Sequence, residues 1–192
     1  MKQKIVLASA SPRRKELLHM LGMSELLVCP AKGDEHAPSS RDPEEIVRAL
    51  ASAKVREVAK DFDGDTLIIG ADTIVWLDGR MLGKPQTEDE AFSMLKALSG
   101  RRHEVYTGLC VRCGGEIDCE AERSEVVFRT LSDGEIRRYI ATGEPMDKAG
   151  AYGAQGIGAL FVREIHGDFF NVMGLPLCRL GEMLSRKGVS IL

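Results

Sequence analysis

With 192 residues, 44% of them hydrophobic and 29% charged, the chain can bury a substantial core and has the balance of a soluble globular protein. A formal net charge of −3 excludes a general nucleic-acid binder, whose phosphate contacts would demand a basic surface. No apolar run approaches membrane-spanning length and the one near the N-terminus is too short for a signal peptide, so a cytoplasmic protein without membrane contact is expected.

In chain order, Lys4–Ala8 reads as a short buried strand and Pro12 as the first residue of a helix, with Ser11 as its N-cap. Leu17, Leu18 and Leu21 recur at helical spacing and Gly22 supplies a stop. The turn between strand and helix holds two hydroxyls, Ser9 and Ser11, and leads into two adjacent guanidinium groups, Arg13 and Arg14. A helix start offers free N–H groups and a partial positive charge, and guanidinium forks match phosphate oxygens. Basic residues in a first turn oppose the helix dipole, so two arginines here point to an anion.

Leu26–Cys29 reads as a second strand, followed by a polar loop containing Asp34 and Glu35. Pro43 opens a helix whose apolar face uses Ile46, Val47, Leu50, Ala53, Val55 and Val58, with Lys54 read locally as a surface lysine. Leu67–Ala71 is a buried strand that delivers Asp72 and Thr73 at its end. Ile74–Leu77 continues it to an Asp78-Gly79 hairpin turn, and Lys84 then stands beside the rigid Pro85. Ligands in α/β proteins gather where strands end, which makes Asp72 a candidate base or metal ligand, although a turn cap would use the same residue.

Thr87 caps a helix to Leu98, with Glu90 completing a capping box. Two strands, Glu104–Val111 and Arg123–Phe128, are joined around Gly114-Gly115, and Ser132–Glu135 caps a helix running to Ile140. The glycine-rich stretch Pro145–Gly156 matches neither a P-loop nor a dinucleotide fingerprint, and its Asp147 reads equally as a cap of a glycine turn. Leu160–Ile165 is a further strand and Cys178–Arg186 the last helix. Five cysteines, Cys29, Cys110, Cys113, Cys119 and Cys178, are an odd number, and Cys110-x-x-Cys113 lies in a strand without a second pair. Reduced, structural thiols are expected rather than zinc.

Taken together, Ser9-x-Ser11-Pro12-Arg13-Arg14, Ala71-Asp72-Thr73, Gly83-Lys84-Pro85, Leu98-Ser99-Gly100-Arg101, Asp147–Tyr152 and Gly174-Leu175-Pro176 resemble the Maf family of nucleoside triphosphate pyrophosphatases. Each motif is short, but the ordered set spans nearly the whole chain. The resemblance implies an α/β fold related to the inosine triphosphate pyrophosphatases: one domain over residues 1–192, an elongated mixed sheet flanked by helices, and two lobes around a cleft. It implies a reaction that converts a nucleoside triphosphate and water to the monophosphate and pyrophosphate, assisted by Mg²⁺ or Mn²⁺. It also implies a cytoplasmic location, and a homodimer is the assembly often found.

By the same resemblance Asp72 matches the catalytic base. Ser9, Arg13, Arg14, Lys54 and Lys84 match the phosphate-binding group, and Arg13, Thr73 and Gln155 match the substrate-selecting positions. Glu35 matches the acidic residue after the second strand. Because hard cations take oxygen ligands, Glu35 and Asp72 are the carboxylates to place near the metal. The sequence Ala151-Tyr152-Gly153-x-Gln155-Gly156 resembles the branch acting on dTTP and UTP; a sister branch acts on 7-methyl-GTP. The alternatives to weigh are that sister activity, a phosphatase releasing inorganic phosphate, and a nucleotide-binding regulator of cell division without turnover.

Overall fold

The computed structural model describes residues 4–33 and 38–191. A seven-stranded mixed sheet runs β2-β1-β3-β5-β6-β7, with β4 paired to β3. The strands are β1 (Ile5–Leu7), β2 (Leu26–Val28), β3 (Leu67–Leu77), β4 (Arg80–Leu82), β5 (Arg102–Cys113), β6 (Glu116–Phe128) and β7 (Val162–His166). Its helices are α1 (Pro12–Met20), α2 (Pro43–Val58), α3 (Glu88–Leu98), α4 (Asp133–Ile140), α5 (Phe169–Met173) and α6 (Leu177–Arg186). β1 lies parallel to both β2 and β3, the geometry that requires a helical crossover on each side; α1 and α2 supply them. β3–β4 and β6–β7 are antiparallel, and the second pair shifts register between Val127 and Phe128.

The contacts divide the chain into two compact units. The first comprises Met1–Asp72, Thr107–Glu122 and Gly174–Leu192. One of its apolar clusters joins Val6, Ala8, Ala51, Val55, Val58 and Ile68, so the inner face of α2 rests on β1 and β3. That face includes Ala51, whereas Ala53, expected there from the sequence, is exposed. Two glycines let α2 come this close. A Cβ at Gly70 would lie 2.5 Å from Val55 Cγ2, and one at Gly108 only 2.0 Å from the Val47 carbonyl oxygen. α6 is fixed to β6 within the same unit, where Arg179 pairs with Glu120 and Glu122, both at 2.6 Å.

The second unit comprises Thr73–Tyr106 and Arg123–Met173. Its core packs α3 (Ala91, Leu95, Leu98) and α4 (Ile136, Tyr139, Ile140) with Val75, Leu77, Val105, Val126 and Phe128 of the strands. His103 is buried in this core, edge-on to Phe128 and Tyr152, with its Nε2 2.8 Å from the Tyr152 hydroxyl. Burial alone pushes its imidazolium down to a pKa of about 4.

Several expectations need adjusting. β3 is one continuous strand of 11 residues, so Asp72 sits within it rather than at its end. β6 starts at Glu116 instead of Arg123, because the Gly114-Gly115 turn lets the hairpin pair immediately on both sides. Thr87 caps α3 as expected, but the Glu90 carboxylate accepts from Gln86 N at 2.7 Å instead of closing a box on Thr87. Ser132 and Glu135 do form a full capping box on α4. Cys110 and Cys119 are joined by a disulfide across the β5–β6 hairpin, where free thiols were expected. The two residues are equidistant from the Gly114-Gly115 turn and so face each other on adjacent strands. Cys110 is bonded to Cys119 and not to Cys113, so the Cys110-x-x-Cys113 spacing does not mark a bonded pair.

Candidate active site

The first unit gathers Ser9, Arg13, Arg14, Lys54 and Asp72. Parallel pairing sets Leu7 opposite Ile69, and Ala8 N donates to the Ile69 carbonyl at 2.8 Å. Both strands run the same way, so Ser9 and Asp72 follow the paired segment at the same end of the two strands. Pro12 at the first helical position and the Ser11 cap then turn the chain into α1, as the sequence indicates.

The two arginines have separate tasks. Arg14 is buried, donating from Nη1 to Ser9 Oγ at 3.0 Å and from Nε to the Gly174 carbonyl at 2.7 Å. Ser9 Oγ also accepts from Ser11 N at 3.2 Å. Arg14 therefore ties the strand-to-helix turn to the segment entering α6. Arg13 is half-buried and, one residue earlier on the helix, points about 100° away from Arg14. Arg14 is engaged by Ser9 and Gly174 while Arg13 leaves the helix in another direction, so the arginine pair read as one feature in the sequence is two.

Lys54 is not the surface lysine of its local sequence reading. Its Nζ forms an ion pair with Asp72 Oδ1, and the two side chains are only 14% and 10% exposed. Gly70 explains the placement. It shares a face of β3 with Asp72, two residues away, and its missing side chain lets α2 settle where Lys54 reaches that carboxylate. The sequence signal was a glycine inside the run Leu67-Ile68-Ile69-Gly70-Ala71, which marks a close approach in an otherwise well-packed strand. One turn further along α2, Glu57 accepts from Lys32 N at 2.6 Å and Gly33 N at 3.1 Å. Those backbone bonds, that from Lys32 foremost, hold its carboxyl below the usual range against burial.

Thr73, Lys84 and Gln155 belong to the second unit. Thr73 is half-buried, while Lys84 and Gln155 are exposed. Gly150 N donates to the Gly83 carbonyl at 3.0 Å, which places the Lys84 turn beside the glycine-rich segment. Asp147 accepts from Lys148 Nζ at 2.6 Å. Glu144, which the sequence reading passed over, accepts from three donors around the Gln155 turn. Glu35 lies outside the described residues.

Among the described residues no group of three or more His, Cys, Asp or Glu side chains is arranged to hold a metal. A Mg²⁺-type ion takes one or two carboxylates and completes its shell with substrate phosphate oxygens and water. A nearly buried carboxylate such as Asp72, paired with the Lys54 ammonium, fits that donor pattern. No helix among the described residues is long and apolar enough to cross a membrane.

A mixed seven-stranded sheet flanked by helices, with a nearly buried lysine–carboxylate pair and an arginine-anchored strand-to-helix turn, defines an α/β protein. The chain belongs to the Maf-like protein family, whose model matches residues 4–187. It is 50% identical to the dTTP/UTP pyrophosphatase of Syntrophomonas wolfei over 188 residues, covering 97% of this chain and 98% of the relative. The proteins of the same name from Dictyoglomus thermophilum and Moorella thermoacetica are 48% and 50% identical, covering 100% and 98% of this chain and 100% and 97% of the relatives. Among solved structures, the Staphylococcus aureus Ham1 protein aligns with TM-score 0.46 at 15% identity, over 66% of this chain and 72% of that one. A nucleoside-triphosphatase / dITP/XTP pyrophosphatase from Mycobacterium abscessus aligns with TM-score 0.44 at 15% identity, over 97% and 94%.

Proposed function

We propose that this protein is a nucleoside triphosphate pyrophosphatase acting on dTTP and UTP, releasing the nucleoside monophosphate and pyrophosphate. The observation that carries the reading is the Lys54–Asp72 pair, since binding alone has no use for a carboxylate kept beside a cation in a nearly buried position. Relatives near 50% identity that span the chain carry the same activity in their names.

In this reading Asp72 orients the attacking water and takes its proton as the water oxygen bonds to the α-phosphorus. The P–O bond between that phosphorus and the bridging oxygen to the β-phosphorus breaks, and its electron pair leaves with pyrophosphate. Lys54 holds the Asp72 carboxylate in one orientation. Arg13 and Lys84 offset the charge that develops on the leaving group, and Arg14 keeps Ser9 and the helix start in place. A divalent cation, Mg²⁺ or Mn²⁺, held by Asp72 and Glu35, supplies further neutralisation of the phosphate oxygens. Thr73 and Gln155 are the proposed selectors of the nucleoside.

The test is an assay of purified protein with Mg²⁺ or Mn²⁺ across dTTP, UTP, CTP, ATP and 7-methyl-GTP, with the released product identified. Fastest turnover of dTTP and UTP with pyrophosphate as product is expected. Orthophosphate as the first product makes the protein a phosphatase, and faster hydrolysis of 7-methyl-GTP makes it a member of the sister branch. Binding with no turnover of any nucleotide makes it a regulator.

A further inference from the structure

The turn that carries Gln155 is held from beneath by one carboxylate. Glu144 Oε2 accepts from Ile157 N at 3.0 Å, and Oε1 accepts from Gly158 N at 3.1 Å and from the Tyr139 hydroxyl at 2.9 Å. The same hydroxyl accepts from Gly153 N at 3.3 Å. Backbone groups on both sides of Gln155 are thus bonded to a single Tyr139–Glu144 unit. The Lys148 ammonium donates to the Glu144 carbonyl at 2.5 Å, and the Lys148 stem packs beneath Gly153. The space is tight: a Cβ at Gly158 would lie 2.5 Å from the Gly153 carbonyl oxygen and 2.7 Å from the Tyr139 hydroxyl. Gln155 itself is exposed, and satisfying the turn falls to other side chains.

A carboxamide has an acceptor end and a donor end, so it distinguishes uracil or thymine from cytosine only if it is prevented from turning over. Uracil and thymine present N3–H, whereas cytosine presents an acceptor N3 and an amino group. Telling these apart takes neighbouring groups held at fixed positions against the base, which a flexible turn would not supply. We propose that Glu144 is a positioning residue for base selection: through the Ile157 and Gly158 N–H groups and Tyr139 it fixes the Gly153–Gly158 turn, so that Gln155 and the backbone groups beside it meet the pyrimidine as one fixed set. The inference rests on the dTTP/UTP reading of the site and adds the residue that enforces it.

The discriminating variant is Glu144→Gln. An amide keeping its oxygen in the Oε1 position would turn its NH₂ toward Ile157 N–H, donor against donor, and loosen the turn at its centre. The measurement is the ratio of kcat/KM for UTP to that for CTP, together with Tm. For Glu144→Gln the ratio should fall by about ten-fold or more, the scale on which a misplaced recognition group costs selectivity. In a Gln155→Ala background, Glu144→Gln should change the ratio no further, because it acts through Gln155. Tyr139→Phe, which deletes only the hydroxyl, should lower the ratio in the same direction and serves if Glu144→Gln does not fold. A drop in Tm with kcat/KM falling equally for both nucleotides would make Glu144 merely structural and overturn the proposal. So would an unchanged ratio, or an equal fall with and without Gln155. Wild-type protein that shows no preference for UTP over CTP overturns the dTTP/UTP reading and this inference together, whereas a selective wild type with equally selective variants overturns this inference alone.

Discussion

At the scale of single residues, Asp72 and Lys54 divide the work between chemistry and orientation. Asp72→Asn keeps the shape of the side chain but removes its basicity and its attraction for the Lys54 ammonium. Turnover should fall by about 10²–10⁴-fold with folding retained, measured as kcat under saturating dTTP and checked by Tm. Activity within a few-fold of wild type would remove Asp72 from the mechanism. The neighbouring arginines should behave differently from each other. Arg14→Ala leaves the buried Gly174 carbonyl without its 2.7 Å donor and Ser9 without its brace, so stability should drop by about 1–3 kcal/mol along with activity. Arg13→Ala should lower kcat/KM about ten- to a hundred-fold while the denaturation midpoint stays close to wild type. Equal loss of stability in both variants would refute this division.

At the scale of elements, α2 positions the pair by lying close against β3 and β5. Gly108→Ala would drive a methyl group onto the Val47 backbone carbonyl, which cannot rotate away, whereas Gly70→Ala meets the tip of the Val55 side chain. Gly108→Ala should therefore cost about 3 kcal/mol or more in urea unfolding, and Gly70→Ala less. Gly70→Ala should still lower kcat, since a helix displaced near Val55 carries Lys54 with it. A Gly108→Ala protein as stable as wild type would mean that α2 does not rest on β5 at this point.

At the scale of the whole molecule, the buried His103 makes stability depend on pH. The folded protein keeps this imidazole neutral down to about pH 4, whereas the unfolded chain protonates it below its ordinary value of 6.5. The folded-state value is depressed, so the unfolded state binds the extra proton in that window. His103's contribution is then complete above pH 6.5 and is lost progressively down to pH 4, about 3 kcal/mol in all. Unfolding free energies measured from pH 7 to pH 4 should show this slope, and His103→Gln, which can still bond Tyr152, should flatten it by that amount. An identical slope in the variant would mean that His103 titrates alike in both states.

Much was legible locally. The Ser11 cap and Pro12, the capping box of Ser132 and Glu135, the hairpin turn at Gly114-Gly115 and the order of the motifs all depend on neighbours a few residues apart, which a sequence states directly. The candidate site residues were also named, Asp72, Arg13 and Lys84 on their own chemistry and Lys54 through its family resemblance. What each one touches was settled by contacts between distant segments. Lys54 meets Asp72 because a glycine in β3 admits α2, Arg14 is committed to a carbonyl 160 residues away, and Cys110 finds Cys119 across a hairpin. Glu144 was passed over because its partners are backbone N–H groups 13 and 14 residues further on, which every sequence contains and only the folded turn aims at its carboxylate.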